Sequence, residues 1–167
     1  PVTVLAAEFL QGILARVLCF EGKAHHPAAV LHCAEFGEHV IGFDHLDDGA
    51  AAALFNRAMV EMTRQVARAV LRVIDFSAAR HIVDVGGGHG ELLATILRAH
   101  PDAHGVLFDL PHAIDGAAAS LERAGVAARC ACFAGSFFES VPEGGDTYLL
   151  KSVLHNWDDE RCLALLR

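Results

Sequence analysis

His155 is the residue best suited to move a proton. It lies in LHNWDDERC, residues 154–162, directly after the apolar run of DTYLLKSVL. An imidazole, with an ordinary pKa of about 6.5, is a general base near neutral pH. A second chemical stretch is HIVDVGGGHGELLATIL, residues 81–97, where an apolar run closes on three glycines, a histidine and a fourth glycine. Backbone with so little side chain turns sharply and approaches a ligand closely. The helical pattern behind it offers its N-terminus to an anion or a nucleotide-like group. Gly86, Gly88 and Gly90 are spaced G-x-G-x-G. A dinucleotide fingerprint, G-x-G-x-x-G, needs glycine at residue 91, which is Glu91, and no P-loop lysine follows. Asp109 ends the next apolar run, GVLFDL. A carboxylate there accepts both hydroxyls of a ribose, or caps the helix that follows Leu110-Pro111. Beside the glycine stretch, ribose is the better reading.

These residues need elements to bring them together. From residue 80 onward, short apolar runs at 81–85, 105–110, 129–135 and 146–154 alternate with helical patterns at 91–100, 112–124 and from 158. That alternation predicts an α/β fold, a doubly wound and mostly parallel sheet. Strand C-termini in such sheets face the ligand crevice, so the glycines, Asp109 and His155 are expected at one edge. Upstream, Phe55, Met59, Met62, Val66, Val70 and Ile74 recur at helical spacing within residues 54–76, until Asp75 and Ser77 break the pattern. Residues 2–20 also read as helix. The expected organisation is a helical segment over 1–77 and an α/β domain over 78–167. The chain starts without Met and stops within a helical pattern, so the domain is expected to be incomplete at its C-terminus. Its fourth strand would then leave an unpaired edge that invites association.

Composition narrows the partners. The 167 residues are 53% hydrophobic with a net charge of −8, and acidic and basic residues are interspersed. That suits a packed core and argues against a phosphate-gripping nucleic-acid surface or adsorption to anionic membrane. No uncharged run of about 18 residues and no signal sequence is present, so a cytoplasmic protein is expected. The five cysteines, Cys19, Cys33, Cys130, Cys132 and Cys162, include no C-x-x-C pair. Cys130 and Cys132 alternate and should share a strand face as free thiols. His25, His26, His32, His39 and His45 lack a ligand-like spacing, so no metal is expected.

Four motifs in order, VDVGGGHG, LFDLPHAI, AGSFFESVP and LLKSVLHNWDDERC, carry a resemblance. From about Phe55 to the C-terminus the chain resembles the S-adenosylmethionine-dependent O-methyltransferases of the caffeate, hydroxyindole and antibiotic-tailoring type. The resemblance implies methyl transfer to a hydroxyl of a small aromatic or polycyclic acceptor, without metal, by a protein that is a homodimer at full length. Gly86 and Gly88 would hold the methionine part of the cofactor, and Asp109 the ribose. Ser136 and Phe137 would meet the adenine, with Ser136 where the family has Asp. Lys151 matches the family's lysine and would be a cofactor-binding residue, and His155 matches its general base. Asn156 stands where Asp is usual. Asp158, Asp159 and Glu160 read as first-turn helix residues, and Trp157 either covers the cofactor or packs in the core. Phe55, Met59 and Met62 would line the aromatic pocket, or are simply core. Rival readings keep the fold and cofactor but replace methylation by hydroxylation or decarboxylation, or make the chain a silent binding module. Glu91 disfavours a dehydrogenase.

Overall fold

The computed structural model describes residues 2–10, 13–22, 63–64 and 66–166. Strands β1 (Val2–Leu10) and β2 (Ile13–Gly22) come first. Helical residues 63–64 and 66–73 follow, with α1 naming 66–73. Then come β3 (His81–Val85), α2 (Glu91–Ala99), β4 (His104–Asp109), α3 (Ala117–Arg123), β5 (Cys130–Ala134), β6 (Thr147–Lys151) and α4 (Asp159–Leu165). The sheet order is β2-β1-β6-β3-β4-β5. All neighbours are parallel except β1 and β2.

The α/β alternation expected after residue 80 is present, and most boundaries move by a residue or two. The exceptions are informative. The helix expected over 112–124 begins only at Ala117, after a series of turns. The last expected strand, 146–154, ends at Lys151, and a 3-10 turn over Leu154–Asn156 follows.

The first segment is a correction. Residues 2–20 were expected to be helical, and the structure makes Val2–Leu10 and Ile13–Gly22 the antiparallel strands β1 and β2. A mostly apolar run with scattered polar positions suits a strand as well as a helix, and Val2, Thr3 and Val4 favour the strand. β1 runs parallel beside β6, with Thr3 opposite Thr147 and Ala7 opposite Lys151. The outer edge of β6 is therefore paired, contrary to the open edge expected there.

Alternation along β3 divides the core into two layers. Ile82 and Asp84 face one side, where Val66, Ala67 and Val70 of α1, Leu93, Ile96 and Leu97 of α2, and Leu121 of α3 pack. Val83 and Val85 face the other, with Phe108, Leu150 and Val153, and Leu165 at the end of α4. Two polar residues lock the strand order. Asp146, just before β6, accepts hydrogen bonds from the backbone N–H groups of Arg80 (2.8 Å) and His81 (2.9 Å) at the start of β3. Arg129, just before β5, donates to the carbonyls of Leu97 (2.8 Å), His100 (3.3 Å) and Ala103 (2.6 Å). It thereby satisfies acceptors left over where α2 ends. Helical residues stop at 73, and Ser77 N–H bonds Asp75 Oδ1 at 2.8 Å, the break read from those residues. Cys130 and Cys132 share β5 and are free thiols.

Candidate functional site

The C-terminal ends of four parallel strands collect the candidate residues. β3 opens into the glycine turn 86–90, β4 ends on Asp109, β5 leads to Gly135-Ser136-Phe137, and β6 ends on Lys151 with His155 one turn beyond.

The turn is held tightly on its inner side and is open on its outer side. Gly86 N–H bonds the Phe108 carbonyl at 2.8 Å, and Gly90 N–H bonds the Gly87 carbonyl at 3.0 Å. A Cβ at Gly87 would lie 2.5 Å from Leu107 Cδ1 and 2.7 Å from the Asp84 carboxyl, so only glycine fits. Gly88 is the opposite case. Its φ of +56° is left-handed, and a Cβ there would meet nothing within 4 Å. Open space over left-handed backbone at a helix N-terminus is room for a ligand.

Asp109 ties β4 to this turn. Its Oδ2 accepts the Gly88 N–H at 2.8 Å, and its Oδ1 accepts the Leu110 N–H at 2.7 Å. The capping alternative is not met, because α3 starts at Ala117 with Gly116 as its N-cap. A carboxylate oxygen with one bond made retains a second acceptor direction. Gly135 N–H bonds the Asp109 carbonyl at 3.0 Å, which brings the next two residues alongside. Ser136 Oγ accepts the Phe138 N–H at 3.3 Å. The Phe137 ring lies 4.0 Å from where a Gly86 Cβ would be, at the wall of the turn. Phe137, Phe138 and Trp157 stack edge-on, with centroids 4.7–6.1 Å apart, and the Arg161 guanidinium sits 5.3 Å from the Trp157 ring centre. Phe137 and Trp157 belong to the second core layer, whereas Phe138 is exposed.

Lys151 Nζ donates to Thr63 Oγ1 at 3.1 Å. Beyond it the chain bends through Ser152, the one non-glycine residue among those described with positive φ, at 56°. Asn156 Nδ2 bonds the Ser152 carbonyl at 3.2 Å across this bend. Such backbone is costly for a side-chain-bearing residue and is concentrated at functional sites. It sets exposed His155 off the strand, not on its end as expected. Asp159 and Glu160 lie in the first turn of α4 as expected, whereas Asp158 precedes it as the N-cap, accepting the Arg161 N–H at 2.9 Å. Phe55, Met59 and Met62, like His25, His26, His32, His39 and His45, lie outside the described residues.

Asp84 is the acidic residue that interrupts the apolar run of β3, and the sequence assigns it no role. It is 1% exposed, in β3 directly under the turn. Burial pushes its carboxyl up to about 7; Asp109 adds to the rise, while Lys151 and the Leu93 backbone N–H oppose it. The signal was an acidic residue at an inward position of an apolar strand. Burial also pushes the Cys130 thiol up to about 12. A cavity of about 360 Å³ lies between Arg64, Arg68, Glu91, Thr95 and Arg98. Among the described residues no three His, Cys, Asp or Glu side chains converge, and no helix is long and apolar enough to cross a membrane.

The chain is similar to known proteins. The family model of the O-methyltransferase domain matches residues 23–167. A phenazine O-methyltransferase of Lysobacter antibioticus is 46% identical over 117 residues, 70% of this chain and 34% of that protein. A mitomycin biosynthesis 6-O-methyltransferase of Streptomyces lavendulae is 43% identical over 121 residues, 72% of this chain and 35% of its own. The crystal structure of an O-methyltransferase from neocarzinostatin biosynthesis, in complex with S-adenosylmethionine and 2-hydroxy-5-methyl naphthoic acid, superposes with a TM-score of 0.64. It is 35% identical, over 71% of this chain and 37% of that one. The chain thus spans about a third of the length of the curated relatives it matches.

Proposed function

This chain belongs to the O-methyltransferase family, and we propose that its protein transfers a methyl group from S-adenosylmethionine to a hydroxyl of a small aromatic or polycyclic acceptor. The observation that carries this reading is the meeting of the glycine turn, Asp109, Ser136-Phe137 and the His155 turn at one edge of the sheet. The residues present fit the cofactor. Gly88 leaves open space at a helix N-terminus, and Asp109 stands beside it with acceptor capacity to spare. The relative that holds S-adenosylmethionine and a hydroxynaphthoic acid supports the same cofactor and acceptor class here.

In this reading Gly86 and Gly88 hold the methionine part, Asp109 accepts the ribose hydroxyls, Ser136 meets the adenine and Phe137 packs on its face. Lys151 secures the wall of the site through Thr63. When bound, the sulfonium group supplies a methyl carbon and keeps the electrons of the broken C–S bond. The chain supplies alignment and a base. His155 takes the proton of the acceptor hydroxyl as the new C–O bond forms, and the imidazolium later returns that proton to water. Phe55, Met59 and Met62 are proposed to line the acceptor pocket. A homodimer at full length and a cytoplasmic location complete the proposal.

Calorimetric titration with S-adenosylhomocysteine beside NAD tests the cofactor. S-adenosylhomocysteine should bind and NAD should not, and Asp109→Ala should weaken the former by about 1.5–3 kcal/mol, the scale of hydrogen bonds to a charged group. Binding of NAD in its place would overturn the reading. A labelled-methyl assay over a panel of phenols should show transfer, and cofactor binding with no transfer to any hydroxyl acceptor would refute the reaction.

A further inference from the structure

Asp84 takes no part in the transfer just described, yet the fold keeps a carboxyl where a strand that only packs would carry Val or Leu. Its Oδ2 is buried without a hydrogen-bond partner, the only such side-chain atom among the described residues. An orphaned buried oxygen is costly. Its position suggests what offsets that cost. A Cβ on Gly87 would come within 2.7 Å of Oδ2, so the carboxyl touches the underside of the glycine turn. The neighbouring Gly88 is where the turn faces open space.

We infer that Asp84 distinguishes the cationic sulfonium cofactor from its neutral thioether product. Its carboxyl becomes negative opposite a positive sulfur on the turn, and returns to the neutral acid once the methyl group has left. The inference rests on the methyl-transfer reading. The other charged and titratable groups around it leave this role to Asp84. Asp109, at the end of β4, is held by Gly88 and Leu110. Lys151, on β6, is bonded to Thr63. Cys130, on β5, is a neutral thiol with its pKa near 12. Glu91, at the start of α2, is paired with Arg64 at 2.9 Å. His89, in the turn, and His155, past β6, are the remaining candidates; His89→Gln tests the first, and the Asp84→Asn variant with the Asp84 carboxyl signal tests Asp84 against both.

The sign follows from linkage. Burial holds the ligand-free carboxyl near 7, with Lys151 opposing and Asp109 assisting. A cation overhead favours the ionised form and lowers that value, so binding expels a proton. Affinity for the sulfonium form then rises with pH across the window between the lowered value and about 7, whereas affinity for the thioether lacks this rise. The amino and carboxylate groups common to both ligands cancel in the ratio of their affinities. After transfer the carboxyl regains its proton and the product loses its electrostatic hold, which favours release.

The test is the affinity ratio of S-adenosylmethionine to S-adenosylhomocysteine, measured by calorimetry between about pH 5.5 and 8.5. Wild type and His89→Gln should both show the ratio rising about tenfold, the equivalent of one pKa unit. Asp84→Asn should flatten it. Carbon-13 NMR of aspartate-labelled wild type gives a second readout that needs no variant. The Asp84 carboxyl titration should fall by about one pH unit or more with S-adenosylmethionine and stay in place with S-adenosylhomocysteine. A flat ratio in wild type, loss of the slope in His89→Gln, or an Asp84 titration indifferent to both ligands would overturn the inference. Failure of both ligands to bind wild type would instead overturn the methyl-transfer reading on which it rests.

Discussion

A phenolic hydroxyl has a pKa near 10, so at pH 7 its oxygen is a weak nucleophile until a base takes the proton. His155 is exposed, on a 3-10 turn beyond β6. From there it can meet an acceptor at the strand ends without contributing to the core. His155→Ala should therefore leave S-adenosylhomocysteine affinity nearly unchanged and cut turnover by about 10²–10⁴, the usual contribution of a general base. The base works only when neutral. Wild-type turnover should rise with pH as the imidazole loses its proton and then level off, while the variant should recover at high pH as the acceptor ionises. Wild-type turnover with an unchanged pH profile in the variant would make His155 structural.

Elements show the same division between holding and binding. Gly87 and Gly88 are neighbours in one turn, yet the chain uses them for different ends. Gly87 is pressed against Leu107 and Asp84, whereas Gly88 faces open space with φ at +56°. Gly87→Ala should lower stability by about 1–3 kcal/mol, the cost of overpacking, because neither β4 nor β3 can withdraw. Gly88→Ala should cost about 1 kcal/mol for left-handed backbone. It should nevertheless weaken cofactor binding more than Gly87→Ala weakens it in the folded fraction, since its methyl group enters the cleft. Thermal unfolding and calorimetry on the pair separate the two effects, and a reversed order in both would show that the turn faces the other way. The Asp109 bond to Gly88 and the Gly135 bond to Asp109 extend the argument, since each strand end holds its neighbour's loop.

Over the whole molecule, Asp84 couples the site to stability. The unfolded chain ionises this carboxyl near 3.8, while the folded chain keeps its proton up to about 7. Between those values the folded state binds the extra proton, so this contribution to stability is complete below the lower value and is lost as pH rises through the upper one. Relative to Asp84→Asn, the wild-type protein should lose on the order of 1–4 kcal/mol between pH 4 and pH 8. Chemical denaturation of the two proteins at several pH values measures this. A constant difference between them would mean that Asp84 is ionised in the folded state throughout.

Local pattern alone determined the α/β alternation, the turn at 86–90, and the placement of Asp109 and His155 near strand ends, because strand-to-helix changes of period and glycine spacing are written in consecutive residues. The first-turn places of Asp159 and Glu160 were legible for the same reason. Tertiary structure decided what depends on residues far apart in the chain. Residues 2–20 are mostly apolar, with scattered polar positions at Thr3, Glu8, Gln11 and Arg16, and carry no period that separates strand from helix; pairing with β6 settles the matter for β1. Asp109 serves the glycine turn and caps no helix because β4 lies beside β3, a neighbour relation that its own segment does not encode. The Ser152 bend that sets His155 off β6 has no glycine to announce it. Asp84 looked like one acidic residue in an apolar run. Only the packing of α2 and the turn over β3 removes it from water and leaves Oδ2 without a partner, and burial of that kind is a property of the assembled layers.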